Sequence, residues 1–386
     1  MHPNLRKASV NWIDGMKVNK KHFQQTEDWA LDHLKDIVAL SLTDHNYGLL
    51  PGSEDIDASL DYQIEVEQTQ FIKITLMACR AITRGGVRIE ITPYVSKQFS
   101  LGKSHLEVVF DLKGTSNQQY DIVVTVDPFT RVAAGDPDPE EHPLRHPSSL
   151  PKYSVDVIPS NHINTEEFST YHLTIGKFRV VAGEVQNENY IPPCTRISSH
   201  PTLLEFYRDF EKQLNEAKQH LTQYIKKSRS LGSHSENHNV LTLTESMLMN
   251  IAVFEDEFQM EIPNQSPSYL YIYFKRLIRL ISTELNCMPE DERLMVYNTF
   301  NQSFTAGTFE NVISSVLHLK YTHRDIFQVM DKLFQETSRL MEIISRLPFT
   351  SQSSGQHYQK QEEIPAPEKP RTSGAKIFRG GQQIKR

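Results

Sequence analysis

Four groups of residues have the types that chemistry needs. Gly102-Lys103-Ser104 has the ending of a phosphate-binding loop, in which backbone N–H groups and a lysine cradle an anion. That motif also needs a glycine five residues before the first of these, and Lys97 stands there. His234 and His238 are four apart, the spacing at which two imidazoles on one helix face hold a metal. They lie among Gly, Ser and Asn, a composition that reads as a solvated linker. Glu245 and the run Glu255-Asp256-Glu257 offer carboxylates for acid–base work, but they fall at the polar edge of a helical pattern. His22 beside Phe23 reads as a packing or hydrogen-bonding residue rather than a base. Neither Gly-x-Gly-x-x-Gly, Gly-x-Ser-x-Gly nor His-Glu-x-x-His occurs, and none of the 16 histidines pairs with another His or Cys at convincing metal-ligand spacing inside a helix. The expectation is a protein without a catalytic centre, a metal or a cofactor.

The elements that surround these residues point elsewhere. At 386 residues, 38% hydrophobic and 23% charged, the chain suits two or three ordinary domains. A net charge of −7 argues against a non-specific nucleic-acid binder. No apolar run approaches the ~20 residues of a membrane helix, and the start, Met-His-Pro-Asn-Leu-Arg-Lys, lacks the apolar core of a signal peptide. Cys79, Cys194 and Cys287 are isolated and odd in number, as small hydrophobes in a reducing compartment would be. The cytoplasm is the expected location.

Both tryptophans fall in residues 10–29. Asp14-Gly15 is a turn dipeptide, because Gly tolerates φ > 0 and Asp bonds its own backbone. A helical pattern follows through Phe23, Ala30, Leu34, Ile37 and Leu42. From Leu60 the period becomes two: Tyr62, Ile64 and Val66, then Phe71 to Ala78, Val87 to Ile91, Leu106 to Leu112, Tyr120 to Val126, Tyr153 to Ile158 and Tyr171 to Val185. Short β-branched and aromatic runs without intervening helices predict an antiparallel sandwich. Residues 133–151 carry five prolines and read as an interruption of the strands, either an exposed excursion that reaches a neighbouring molecule or a plain long loop.

Ile191-Pro192-Pro193-Cys194 stiffens the chain, and from Leu203 the period is helical. Leu203, Tyr207, Phe210, Leu214, Ala217, Leu221 and Tyr224 step by alternating fours and threes, a 3.5-residue repeat that reads as the seam of a coiled coil. Further helices are predicted over about Val240 to Met260, Ser268 to Asn286 and Phe309 to Leu319. The last helix repeats the seam with Ile326, Met330, Leu333, Thr337, Leu340, Ile344 and Leu347. Residues 350–386 are rich in Ser, Gln, Gly, Pro, Lys and Glu and carry seven cations against three acids; such a segment reads as a disordered tail, with Ile377-Phe378 as a short docking peptide among basic residues.

The fold expected is thus α+β: an antiparallel β-sandwich with an N-terminal arm and helix over residues 1–200, a helical bundle over 201–349 and a disordered tail over 350–386. Three stretches carry a resemblance: Trp12-x-x-Gly15-Met16 followed by His22-Phe23-Gln24-Gln25, the exit Ile191-Pro192-Pro193-Cys194, and Tyr321-x-His323-x-Asp325 before the last helix. Together, over about residues 8–347, the chain resembles the TssK family, the baseplate subunit of the bacterial type VI secretion system.

The resemblance implies a β-sandwich shoulder, a helical neck that trimerises, and a cytoplasmic place in the baseplate at the inner membrane. It implies as partners the wedge proteins TssF and TssG and the membrane complex. On this reading Trp12, Gly15, Met16, His22 and Phe23 are expected to grip the wedge. The seam residues Leu203, Tyr207, Phe210, Leu214, Leu221, Ile326, Met330, Leu333, Leu340 and Ile344 are expected to join three protomers. The family's C-terminal head finds no counterpart after Leu347, so the expected link to the membrane complex is either the tail, through Ile377 and Phe378, or another subunit. Two other readings of the same elements are a carbohydrate-binding or carbohydrate-processing β-sandwich and a generic coiled-coil adaptor.

Overall fold

The computed structural model describes residues 6–52, 58–67, 71–113, 118–163, 170–230 and 238–348. After an arm, helix α1 (Lys20–Ser41) starts at the N-cap Asn19, whose side chain accepts from the Lys21 N–H, while His22 Nδ1 accepts the Asn19 N–H. This reciprocal cap satisfies donors that a helix start leaves free.

Two antiparallel sheets follow. In the first, β3 (Phe71–Ile82) is central. It pairs on one edge with β2 (Leu60–Glu67) and β1 (Gly48–Leu49), and on the other with β5 (Leu106–Asp111) and β4 (Arg88–Ile91). The second sheet runs β7-β6-β8-β9, formed by β6 (Gln118–Ala134), β7 (Ser148–Pro159), β8 (His172–Val181) and β9 (Glu184–Asn187). Period-two patterning does what it should: Ile72, Ile74 and Leu76 of β3 and Ile122, Val124 and Val126 of β6 are fully buried. The sheets meet face to face where Phe110 packs on Tyr120 at 5.0 Å, and Tyr120 in turn stacks on Phe178, its neighbour within the second sheet, at 5.4 Å. The facing is close enough at one point that a Cβ on Gly176 would lie 2.3 Å from the Tyr62 hydroxyl.

The proline-rich stretch differs from expectation. Strands β6 and β7 continue into it as far as the pair Ala134–Ser148, and Pro151 sits in register opposite Arg131. Proline is tolerated there because β7 is an edge strand, whose outer side needs no donor. A bulge between Asp127 and Arg131 bends β6 at the same level.

The helical half comprises α3 (Pro201–Ser230), α4 (His238–Val253), α5 (Pro267–Cys287), α6 (Glu290–Phe300), α7 (Thr308–His318) and α8 (Ile326–Ser345). The single helix expected over Val240 to Met260 stops at Val253; a π-helical turn over Glu257–Glu261 then keeps Phe258 in the core ahead of Pro263. Helix α6 was not legible from apolar spacing, because only Val296 and Phe300 of it are buried. Its signal was the acidic first turn Glu290-Asp291-Glu292 after Pro289, which suits the positive end of a helix dipole.

The sandwich and the helical half share one continuous hydrophobic core. Their polar joint uses the residues singled out in the sequence. Leu49 N–H donates to the Pro193 carbonyl at 2.7 Å and Thr195 N–H to the Leu49 carbonyl at 2.9 Å. Gly48 has φ +110°, and a Cβ there would fall 1.9 Å from the Pro193 oxygen, so this crossing requires glycine. His323, itself buried, accepts a hydrogen bond from the Tyr321 hydroxyl on Nδ1 at 2.7 Å and donates from Nε2 to the Tyr47 carbonyl at 2.8 Å. Asp325 caps α8 and accepts Lys177 Nζ at 3.2 Å. Tyr321, His323 and Asp325 thus fasten the last helix to the sandwich.

Candidate docking surface

Helix α1 is amphipathic in the reverse sense. Its inward face carries Asp32, 1% exposed, and Lys35, 5% exposed, joined at 2.7 Å. Its outward face carries Phe23, Leu34, Ile37 and Leu40 at 59%, 58%, 63% and 71% exposure. The polar inward face is workable because every charge on it has a partner, which a buried ion requires. Asp32 Oδ2 accepts the backbone N–H of Arg6 at 2.9 Å and of Lys7 at 3.1 Å. Burial alone would raise the Asp32 pKa. The Lys35 hydrogen bond, the two backbone donors and the Lys35 charge outweigh burial and hold it below the usual carboxylate range.

These bonds lay the arm back along the helix. Gln25 Nε2 adds donors to the carbonyls of Ala8 and Ser9, at 3.1 and 3.2 Å. Cations from both arm and helix rest on sandwich aromatics: Lys7 lies 4.6 Å from the Phe129 ring centre, and Arg6 and Lys35 lie 5.5 and 5.8 Å from that of Tyr171. Arg131, re-aimed by the bulge in β6, reaches Asp28 at 2.6 Å and Glu27 at 3.2 Å. Gly86, at φ +79°, lets the turn between β3 and β4 approach the helix backbone, where a Cβ would stand 2.6 Å from the Lys35 carbonyl.

The arm and helix therefore form a rigid ridge with an apolar crest. Trp12, 51% exposed, stands at its tip edge-on to His22 at 6.0 Å. Gly15 takes the positive φ, +81°, that the Asp14-Gly15 turn demands, and Met16 N–H closes the turn onto the Ile13 carbonyl. Of the five residues expected to grip a partner, Trp12, Gly15 and Phe23 are exposed, while Met16 and His22 are half-buried supports. Sequence reasoning missed that Ile13, Val18, Leu31, Leu34, Ile37 and Leu40 join the same exposed surface. A groove of 230 Å³ between helix and sandwich, lined by Leu31, Leu34, Val38, Pro128 and Phe129, continues it. An exposed apolar patch of this kind marks an interaction site.

The seam residues go elsewhere. Leu203, Phe210, Leu214 and Leu221 of α3 and Ile326, Met330, Leu333, Leu340 and Ile344 of α8 are all buried within one chain, and Tyr207 stacks on Phe258 at 4.9 Å. Gln213 ties the two helices together in the core, donating to Ser338 Oγ at 2.6 Å and accepting from Thr337 Oγ1 at 2.8 Å. Nine of the ten positions expected at a trimer contact are therefore buried in the core of one chain, and the tenth, Tyr207, is half-buried against that core. A 3.5-residue repeat specifies a narrow packed stripe and does not say whether the partner helix belongs to the same chain. Ile377, Phe378 and His234 lie outside the described residues.

The remaining chemical candidates disperse. His238 opens α4, its carbonyl accepting from Thr242 Oγ1. Glu245 pairs with Arg229, Glu255 with Lys218 and Glu257 with Arg276, as ion pairs between helices. Lys103 and Ser104 line a 340 Å³ cavity between α2 (Pro93–Gln98) and the β6–β7 hairpin. Among the described residues its one acidic lining group is Glu90, which Arg80 and Arg88 hold. It thus brings together no pair of carboxylates of the kind a glycosidase uses. Among the described residues no three His, Cys, Asp or Glu side chains gather as a metal site, and no helix is long and apolar enough to cross a membrane.

No family model and no curated protein sequence matches the chain. Solved structures do. TssK from the EAEC type VI secretion system, in complex with nanobody nb18, is 15% identical, with 84% of this chain and 100% of that chain covered and a TM-score of 0.49. A chain of the TssK-TssF-TssG baseplate subcomplex, determined by cryo-electron microscopy, is 16% identical over 87% of this chain and 100% of that one, with a TM-score of 0.43. The crystal structure of TssK is 14% identical and covers 88% of this chain and 70% of that one, with a TM-score of 0.51. With its sandwich, its helical half and the joint between them in this order, the chain has the fold of TssK.

Proposed function

We propose that this protein is a structural subunit of a type VI secretion baseplate, a self-associating adaptor between the wedge proteins TssF and TssG and the membrane-anchored complex. The observation that carries the reading is the TssK fold over most of the chain. The Trp12…Gly15-Met16…His22-Phe23 opening supports it, since it ends in an exposed aromatic tip. On this reading the chain works by assembly and not by turnover, in the cytoplasm on the inner face of the membrane. The ridge tip, Trp12 and Phe23 with Met16 and His22 beneath, docks on the wedge. Joining several copies lets individually weak wedge contacts act together, and such linkage raises avidity without any new contact. The tail beyond Phe349, with Ile377-Phe378, reaches toward the membrane complex.

Co-purification with the TssF and TssG of the same organism tests the reading. The wild-type chain is expected to retain both. Trp12→Ala/Phe23→Ala is expected to lower retention at least ~10-fold, the effect of losing ~1.4 kcal/mol of contact, with an unchanged melting temperature. Undiminished capture by that double variant would remove the ridge tip from the interface, and no capture by the wild type would remove the baseplate role. Deleting residues 351–386 is expected to spare self-association and reduce attachment at the membrane.

A further inference from the structure

We propose that the tip of the arm-and-helix ridge docks on a protein surface of definite chemistry: an apolar pocket ringed by carboxylates. The inference rests on the adaptor reading, under which that surface belongs to the wedge, and goes beyond it by naming what the wedge presents. Trp12, Ile13, Val18 and Phe23 are each half exposed or more. The edge-on contact of Trp12 with His22 brings the Asp14-Gly15 turn against the first turn of α1, so these side chains share one end of the ridge.

Charge gives the sign of the partner. From Arg6 to Trp29 the charged residues are Arg6, Lys7, Asp14, Lys17, Lys20, Lys21, Glu27 and Asp28. Four of them are already held: Arg6 and Lys7 lie on the rings of Tyr171 and Phe129, and Glu27 and Asp28 pair with Arg131. The tip itself, residues 11–23, carries exposed Lys17, Lys20 and Lys21 against the single acid Asp14, a net charge of +2 on a chain of net charge −7. Among the described residues, none of these three lysines has an acid within ion-pair distance. Two of them also stand where the fold disfavours them. Lys20 and Lys21 open α1 at the positive end of its dipole, and no acid occupies that first turn. Helix α6 has the opposite arrangement, with Glu290, Asp291 and Glu292 in its first turn. The backbone donors of α1 are not the attraction, since Asn19 takes the N–H groups of Lys21 and His22. The lysines thus weaken the free chain slightly, and a partner that brings carboxylates removes the cost as the apolar side chains are buried.

Asp14 favours a protein over a lipid surface. It sits at the point of the turn, beside Ile13 and Gly15, where insertion into an anionic leaflet would press it against like charge. A protein can set a donor opposite it. The roles within the tip divide by solvent exposure. Rim charges steer the encounter and lose force with salt, whereas buried rings hold the complex once formed.

The experiment measures association and dissociation rates of the full chain with the TssF–TssG complex of the same organism. It is run at about 0.1 and 1 M salt, between which the Debye length falls from roughly 10 to 3 Å. The wild-type association rate is expected to fall at least ~10-fold between the two. Lys17→Gln/Lys20→Gln/Lys21→Gln is expected to associate ~10-fold more slowly at low salt, to lose most of the salt dependence and to keep its dissociation rate. Trp12→Ala/Phe23→Ala is expected to dissociate faster and keep the salt dependence. Lys97→Gln/Lys113→Gln/Lys226→Gln, the same charge change at exposed positions elsewhere, serves as control. Lys20→Glu/Lys21→Glu is expected to melt no lower than the wild type yet to be captured more weakly, which separates docking from stability. A folded Lys17/Lys20/Lys21 variant with wild-type rates and salt dependence overturns the proposal, and so does an equal loss in the control. Vesicles of phosphatidylglycerol, set against phosphatidylcholine alone, test the lipid alternative. Binding to the anionic vesicles that needs the three lysines, with wedge rates that do not, overturns a protein partner. Salt-insensitive capture of the wedge overturns this surface chemistry and leaves the adaptor role standing, whereas no capture by the wild type removes both.

Discussion

Two apolar stripes of this chain look alike on paper and meet opposite fates. The stripe of α8 (Ile326, Met330, Leu333, Leu340, Ile344) disappears into the core with that of α3, while the stripe of α1 (Phe23, Leu34, Ile37) stays outside. The cause is what lies opposite. Helix α3 faces α4 and α8, which offer apolar surface and a matched polar pair in Gln213 and Thr337. Helix α1 faces the end of the sandwich, where Phe129, Tyr171 and Arg131 offer rings for cations and a guanidinium for acids. A helix turns toward a neighbour the face that neighbour can satisfy. On α1 this leaves the hydrophobes exposed.

Substitutions test this difference directly, and the largest effect belongs to the buried stripe. Phe210→Ala removes a ring packed on Phe274 at 4.4 Å and on Phe334 at 5.4 Å, and is expected to cost about 3–5 kcal/mol in denaturant unfolding. Asp32→Ala should come next. It leaves Lys35 buried without its carboxylate and frees the arm from its anchor, at about 3 kcal/mol. Proteolysis is then expected to cut near Arg6 and Lys7 first, and an arm that stays protected would separate the anchor from the ion pair.

Acid should act through the joint. Burial pulls the His323 pKa down to about 4, partly countered by its bond to the Tyr47 carbonyl. The folded-state value is depressed below the unfolded one, near 6.5. The unfolded chain therefore gains the proton first as pH falls. The stabilisation is complete above about pH 6.5 and is lost between there and about 4, amounting to on the order of 3 kcal/mol. His200, likewise pulled down to about 4 by burial, acts in the same direction. The melting temperature should fall from pH 7 to 5, with a shallower fall in His323→Gln; equal slopes would assign the loss to other groups. The smallest effect belongs to the exposed stripe. Under conditions where the chain is monomeric, Leu34→Ala should change stability by no more than ~0.5 kcal/mol, the range of exposed positions. A cost near that of Phe210→Ala would mean that the crest is already covered.

Much of the architecture was legible because it depends on local pattern. Alternation of Ile72, Ile74 and Leu76 leaves a strand no choice of face, and Asp14-Gly15 leaves the arm no choice but to turn. The Tyr321-x-His323-x-Asp325 stretch could be noticed but not explained, since its partners, Tyr47 and Lys177, lie far off in sequence. The docking surface was half legible. Trp12 and Phe23 stood out by type, whereas Leu34, Ile37 and Leu40 looked like any helix core.

By itself the sequence determined periods: two for the sandwich, 3.5 for the long helices, and none for the polar residues beyond 350. Those follow from backbone geometry and side-chain alternation, which each segment carries within itself. Only the tertiary structure decided which stripe is inside and which is outside, because burial is a relation between segments. The Asp32–Lys35 pair could turn inward only where Arg6, Lys7 and the rings of Phe129 and Tyr171 were waiting for it.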